Sequence, residues 1–548
     1  MPKRLSLVAL ALLGLSACDN HNDNASSNPT PQPSLVDVKL SVLGRYQAGV
    51  FGEGAAEIVD FDAASKQLFV INAAAGTLDV LDVANPATPT KTATLDVAAL
   101  IGEAIGGINS VAVKDGLVAL AVENADKQAA GYIAFYKADG LQPLGFVGAG
   151  SLPDMVTFSP DGRFALSANE GEPNATYDND PEGSITLVNL GDDPMAKAAS
   201  LSPADVKQLT FNAFDGQKDS LIASGVRIFG PGASVSQDLE PEYIAVSDDS
   251  TKAYVTLQEN NAIAVVDLAS ASISGISALG FKDHSLAGNG LDASDKDDSI
   301  NIQTWPVLGM YQPDSIAAFS QDGVNYMVTA NEGDSRDYDG FSEEARIKDL
   351  DLDPVAFTDA SIQDNPKLGR LAVTTTLGQD TSSGLYTKLY SFGGRSFSVF
   401  KEEDGQISLV WDSGDEFEQY LAEHLPTAFN SDNDEQDSFD SRSDAKGPEP
   451  EGIAVGSIGE QRFAFVGLER IGGIMVYDIT DPQAPIFQDY FNNRDFDAVD
   501  PLDAGDLGPE GLHFIPAAHS PNGKPLLAVG HEVSGSTVLY QLDTSTRS

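Results

Sequence analysis

The chain has 548 residues, with 82 Asp and Glu against 32 Lys and Arg, for a formal net charge of −50 at pH 7. That balance excludes a nucleic-acid or anionic-membrane binder, since both need a basic footprint. Hydrophobic residues at 42% are too many for a disordered chain, and a single cysteine excludes intrachain disulfides and cysteine metal cages.

Lys3 and Arg4 precede a short apolar run from Leu5 to Leu13, followed by Leu15-Ser16-Ala17-Cys18. The run is too short to cross a bilayer and reads as a secretory signal over residues 1–17. Its end resembles the bacterial lipobox, which leaves the cysteine lipid-modified at the new N-terminus, so Cys18 is the expected lipidation site. Residues 18–35, rich in Asn, Ser, Pro and Gln, read as a flexible tether. Residues 36–548 read as one domain.

Beyond the tether no helical period is sustained. Short β-type runs dominate, such as Leu68-Phe69-Val70-Ile71, Ile185-Thr186-Leu187-Val188, Tyr254-Val255-Thr256-Leu257 and Phe463-Ala464-Phe465-Val466, punctuated by Gly, Asn, Asp and Pro. They belong to a repeat: Pro, an acid, an apolar strand, a turn, then a second strand ending in Glu. Its copies begin at Pro153-Asp154, Pro241-Glu242, Pro313-Asp314, Pro450-Glu451 and Pro509-Glu510, answered by Glu170, Glu259, Glu332, Glu469 and Glu532. Weaker copies carry Glu57 with Asn72, and Asn109 with Glu123. Seven units of three or four strands predict an all-β, seven-bladed β-propeller, with insertions near 190–238, 268–310, 335–385 and 401–447. A β-sandwich is the alternative. The last copy lacks a fourth strand while residues 38–46 are unassigned, so the N-terminal strand is expected to complete the last blade against 537–541.

Inner strands line a propeller's channel, so the repeat acids should meet at one mouth. Glu57, Asp154, Glu242, Asp314, Glu451 and Glu510 form one set, and Glu123, Glu170, Glu259, Glu332, Glu469 and Glu532 the other. So many carboxylates repel unless protonated or neutralised by cations, and oxygen-only ligands suit hard ions, Ca²⁺ first and Mg²⁺ next. The alternative is that they serve turn hydrogen bonds. Arg336, Arg470 and Arg395 are candidates to grip phosphate or carboxylate, with simple salt bridging as the other reading; Arg442 and Lys446 lie upstream of Glu451. His531 beside Glu532 is a candidate acid/base. The segments Asp292-Ala293-Ser294-Asp295-Lys296-Asp297-Asp298 and 430–437 alternate oxygen donors as calcium loops do, but lack the glycine and closing Glu of an EF-hand, so solvated loops are the simpler reading. No nucleophile-elbow, zinc-protease, P-loop or dinucleotide motif is present.

Leu152-Pro153-Asp154-Met155-Val156, Ala168-Asn169-Glu170-Gly171-Glu172-Pro173-Asn174, Thr329-Ala330-Asn331-Glu332-Gly333-Asp334, Tyr390-Ser391-Phe392-Gly393-Gly394-Arg395 and Lys446-Gly447-Pro448-Glu449-Pro450-Glu451 resemble the choice-of-anchor I family. Those proteins are bacterial envelope or secreted proteins, related to a mesenchyme-specific cell-surface glycoprotein type and to an atypical cyanobacterial alkaline phosphatase. The resemblance implies a propeller-like fold and, more loosely, metal-dependent phosphomonoester hydrolysis. The competing expectation is a non-catalytic, calcium-stabilised module binding a protein or glycan. Either would be a monomer in the bacterial cell envelope, touching the membrane through a lipid anchor only.

Overall fold

A computed structural model describes residues 35–102, 105–403 and 405–547. The expected signal peptide, Cys18 and the tether up to residue 34 lie outside the described residues. Within them the chain builds seven four-stranded antiparallel sheets in sequence order. The innermost strands are Val59–Asp62, Ile105–Lys114, Pro153–Phe158, Pro241–Val246, Ile316–Gln321, Pro450–Ile458 and Pro509–Ile515. Each touches the next, and the last touches the first.

The core has the same cyclic order. Every neighbouring pair of sheets shares one apolar cluster, for example Leu166 and Ile185 against Val255 and Val266 between the third and fourth. Phe61 and Leu68 pack on Leu526 and Leu539 to join the seventh to the first. A two-sheet sandwich has one interface, whereas these blades bury both faces of each sheet, which is why the middle strands are continuous apolar runs such as Phe463-Ala464-Phe465-Val466.

The ring closes as expected from the strand shortage. Val36–Gln47 pairs antiparallel along Ser536–Thr546, from Val36 opposite Thr546 to Gln47 opposite Ser536, with one irregularity between Val42 and Gly44. This pairing covers an edge that would otherwise expose a row of free backbone groups.

The expected insertions need correction. Three contain the fourth strand of a blade: Val206–Thr210, Ser272–Ala278 and Gln406–Asp412. These outermost strands are half solvated, so they lack the apolar run that marks an inner strand. Chain from the second and third insertions, with Tyr390–Ser391 just beyond the third, forms a five-stranded mixed sheet from Phe281–Asp283, Leu308–Met310, Tyr390–Ser391, Ala372–Thr374 and Glu344–Arg346. Leu291, Trp305, Ile347, Leu368 and Val373 give it a small core of its own.

Candidate cation site at the propeller mouth

A local device repeated around the ring aims the acids. Pro153, Pro241, Pro450 and Pro509 each open an inner strand, where a missing N–H costs nothing. Each is followed by a register shift spanning the acid, between Pro153 and Val156, Pro241 and Ile244, Pro450 and Ile453, and Pro509 and Leu512. A bulge of this kind re-aims a side chain, here Asp154, Glu242, Glu451 and Glu510. The residue before the proline is left-handed in four blades: Leu152 (φ 49°), Gln312 (φ 43°), Glu449 (φ 51°) and Gly508 (φ 67°). That turn directs its carbonyl to the end of the second strand. It accepts from the N–H of Glu170 (2.9 Å), Gly333 (3.1 Å), Glu469 (2.8 Å) and Glu532 (2.8 Å) in turn. First and second acids of a blade are thereby held side by side.

The acids meet in groups whose carboxylate oxygens lie within 4.8 Å of one another. These are Glu57–Glu510–Glu532, Asp154–Glu170–Glu242, Glu451–Glu469–Glu532 and Glu332–Glu449–Glu469. Glu57, Glu123, Asp154, Glu170, Glu172 and Glu510 line a cavity of about 410 Å³, with Lys127 beside them. Ile58, Met155 and Tyr243 line both this cavity and a second one of about 290 Å³ further along the channel, so they divide the two.

The mouth has two electrostatic halves. On the fifth and sixth blades, Lys446 Nζ lies 2.6 Å from Glu332 and 3.3 Å from Glu449. Arg442 and Arg470 also grip Glu449, at 2.7 and 3.1 Å, and Arg470 reaches Glu469 at 3.2 Å. Burial works against the Glu449 charge, yet Lys446, Arg442 and Arg470 hold its carboxyl down at about 2. The same acids keep Lys446 well above its ordinary value against burial.

The other half has, among the described residues, one base, Lys127, 3.7 Å from Glu123, and it only partly offsets the rise of Asp154. Among the described residues the side-chain oxygens of Glu57, Asp154, Glu170, Glu242, Glu451, Glu510 and Glu532 accept no hydrogen bond from the protein and join no ion pair. One oxygen each of Glu259, Glu451 and Glu510 is fully buried in that state. Burial, then the charges of Glu532 and Asp154, push the Glu57 carboxyl up to about 8. Asp154 rises to about 7 through burial and Glu172, and Glu259 to about 7 through burial against the pull of Arg336. Glu170, Glu242, Asp314, Glu451 and Glu510 rise well above the carboxylate range for the same two reasons.

Three of the four expected anion-gripping or acid/base residues are placed elsewhere. Arg395, with φ 51°, is buried; it donates to the carbonyls of Asp292 (2.7 Å), Ser443 (2.7 Å) and Ala445 (2.9 Å) and pairs with Glu418 at 2.7 Å. Arg336 is buried between Asp238 (2.5 Å) and Glu240 (2.9 Å). It lies over one ring, Phe229, which Arg227 also covers at 4.1 Å. His531 is buried within its blade, Nε2 at 3.1 Å from the Tyr540 hydroxyl, and burial pushes its imidazole down to about 4. Neither arginine has its main donors free for a ligand, and His531 is neutral and enclosed at physiological pH. Only Arg470 stands at the mouth, about a quarter exposed.

Sequence reasoning missed Glu449 and Glu172 as mouth residues. Glu449 directly precedes a repeat proline and Glu172 follows Glu170 by two, so both could have been read from the repeat as flanking acids. Asp432, 3.5 Å from Arg470, lies in the 430–437 run of alternating oxygen donors, which was read as a solvated loop rather than as part of the mouth.

The choice-of-anchor I domain profile matches residues 57–482. Gigasin-3a of Magallana gigas is 34% identical over 193 residues, covering 33% of this chain and 67% of that protein. A mesenchyme-specific cell surface glycoprotein of Strongylocentrotus purpuratus is 29% identical over 303 residues, covering 48% of this chain but only 38% of its own length. Among solved structures, hydrazine synthase of Kuenenia stuttgartiensis overlays with a TM-score of 0.43 at 11% identity, covering 92% of this chain and 99% of that one. The Cps50 (Swd1) β-propeller domain of Myceliophteria thermophila overlays at 0.42 and 8% identity, covering 92% and 100%. Neither overlay adds to the ring already given by the sheets.

Proposed function

The chain belongs to the choice-of-anchor I family, and from that premise we propose that it is a non-catalytic binding module of the cell envelope whose propeller mouth holds divalent cations. The observation that carries this reading is the split mouth. One half neutralises its acids with Lys446, Arg442 and Arg470, while Asp154, Glu170 and Glu242 converge with no base paired to them. Full ionisation of that half-buried trio is costly through mutual repulsion and partial desolvation unless a cation compensates. Carboxylate oxygens alone select a hard ion, and donors from the strand ends of two neighbouring blades supply the variable geometry that Ca²⁺ tolerates better than Mg²⁺. An ion held there beside an open cavity leaves coordination positions for an anionic or hydroxyl-bearing group on a protein or glycan partner.

The relative described as a cell surface glycoprotein supports an extracellular or envelope location. Among the described residues no helix is long and apolar enough to cross a membrane. The Leu15-Ser16-Ala17-Cys18 sequence supports attachment through a lipid on Cys18, and Cys18→Ser should release the protein from the membrane fraction.

The test is calorimetric titration of the purified protein with Ca²⁺, alongside assay of p-nitrophenyl phosphate hydrolysis with Ca²⁺, Mg²⁺, Mn²⁺ or Zn²⁺ supplied. Stoichiometric Ca²⁺ binding whose mouth component disappears in the pair Glu170→Gln with Glu242→Gln, and no turnover, are expected. Absence of Ca²⁺ binding would overturn the cation site. Metal-dependent turnover abolished by the same pair would replace the binding module with a hydrolase.

A further inference from the structure

Away from the mouth, two of the inserted segments meet in a second acidic cluster that, among the described residues, shares no ion pair with the first. The connector holding Asp292 lies between the fourth and fifth blades. The connector 413–449, between the fifth and sixth, carries the helix Glu416–His424 and a loop with Asn430, Asp440 and Ser443.

A continuous chain of hydrogen bonds places these groups together. The Asp292 N–H donates to one Glu418 oxygen (3.3 Å). The other Glu418 oxygen accepts from Arg395 (2.7 Å) and from the Asn430 amide (2.8 Å). That amide also donates to the Ser443 hydroxyl (2.9 Å), which donates to Asp440 (2.6 Å). Arg395 neutralises Glu418. Nothing comparable serves Asp292 or Asp440: both are buried, and among the described residues neither joins an ion pair.

The cluster also holds an orphan. Asn430 is fully enclosed, with 0% exposure, and its Oδ1 has no hydrogen-bond partner. Turning the amide over does not cure this, because the Glu418 carboxylate needs the NH₂ end as its donor. A buried carbonyl oxygen left unpaired costs about 1–3 kcal/mol, and it belongs to the same hydrogen-bonded cluster as two acids whose carboxylates accept only neutral donors, Asp292 from the Asn301 N–H (2.6 Å) and Ser294 N–H (3.3 Å) and Asp440 from Ser443 (2.6 Å). A water could satisfy the carbonyl but would bring no positive charge to either acid. A cation serves all three.

We propose that Asp292, Asp440 and Asn430 hold a Ca²⁺ ion that ties these two inserted segments together. Two carboxylates and an amide carbonyl are the hard, mixed oxygen donors such an ion takes, with water and backbone completing its six to eight ligands. Without an ion, burial and the charge of Glu418 push Asp292 up to about 7. Burial and the charges of Asp292, Asp297 and Glu418 push Asp440 up to about 8. Asp292 and Asp297 of the 292–298 run thus act on Asp440, just beyond the 430–437 run, while Asp432 of that run faces Arg442 and Arg470 at the mouth. The site is structural, independent of the one at the mouth.

Trp305 supplies the assay. Its indole N–H donates to the Leu291 carbonyl at 3.2 Å, one residue from Asp292, and the chain has only one other tryptophan. Tb³⁺ substituted for Ca²⁺ in the full chain should show tryptophan-sensitised emission that Ca²⁺ displaces. Trp305→Phe should remove most of that emission with no ligand changed. Asp292→Asn with Asp440→Asn should abolish it, while Glu170→Gln with Glu242→Gln should leave it intact. No sensitised emission from the wild-type protein, emission that survives Trp305→Phe, or emission lost in the mouth variant but kept in the Asp292/Asp440 variant would each overturn the proposal. If the Asp292/Asp440 variant does not fold, the wild-type, Trp305→Phe and mouth-variant measurements still decide the matter.

Discussion

Removing divalent cations should make the protein progressively less stable as pH rises, and Ca²⁺ should cancel that slope. The folded state raises Glu57 from its ordinary 4.5 to about 8, so between those values it binds a proton that the unfolded chain has lost. Stability changes with pH in proportion to protons bound unfolded minus folded. That difference is negative here, so the apo protein weakens from about pH 4.5 upward and stops weakening once pH passes about 8. Each pH unit crossed costs about 1.4 kcal/mol per group, so Glu57 alone accounts for on the order of 4–5 kcal/mol. Asp154, raised to about 7, acts in the same direction over a lower window. A cation in the mouth favours the ionised acids, releases those protons and stabilises the fold by about 2.7 kcal/mol at a hundredfold excess over its Kd. The assay is urea unfolding at several pH values between 5 and 9, in chelator and in Ca²⁺, at matched ionic strength. The reasoning fails if the chelated protein shows no downward slope. It fails equally if NaCl removes the slope as well as Ca²⁺ does, because screening depends on ionic strength alone.

Other perturbations read the ring itself. In Ca²⁺, His513→Gln should destabilise by about 1–2 kcal/mol below pH 6.5 and lose its effect as pH rises. Burial opposes the His513 charge, but Asp60, 2.8 Å away on the first blade, raises the imidazole above 6.5, so its contribution is present in acid and lost through the folded value. Gly452→Ala should cost about 1–3 kcal/mol in urea unfolding, since its Cβ would stand 2.0 Å from the Glu510 carbonyl oxygen of the next blade. Arg336→Met, which strands Asp238 and Glu240 in the interior, should cost about 3–5 kcal/mol by the same measure. Deleting residues 36–47 should leave the Ser536–Thr546 edge unpaired and turn the protein into oligomers on size-exclusion chromatography.

Much of the ring was legible in the chain because propeller contacts recur. The same Pro–acid start and Glu end appear wherever an inner strand meets its partner, so one copy's geometry is announced by the next. The missing last strand was legible for a related reason: Ser536–Thr546 must pair on both sides, and only the stretch before Glu57 was unassigned. The outer strands Val206–Thr210, Ser272–Ala278 and Gln406–Asp412 were not, because solvent on one side leaves no apolar pattern to read. Charges were least legible of all. Sequence counts an arginine and a carboxylate alike wherever they fall, but whether Arg395 faces a ligand or the carbonyls of Ser443 and Ala445 depends on chain tens of residues away. That Glu449 sits at about 2 while Glu57 sits at about 8 follows from three bases folded onto Glu449, against a single lysine among the described residues, Lys127, which pairs with Glu123 on the other side. The sequence by itself determined that acids would ring the channel, because register along a strand is local. Only the tertiary structure decided which of them were already neutralised, because burial and Coulomb energy are set by distances through space.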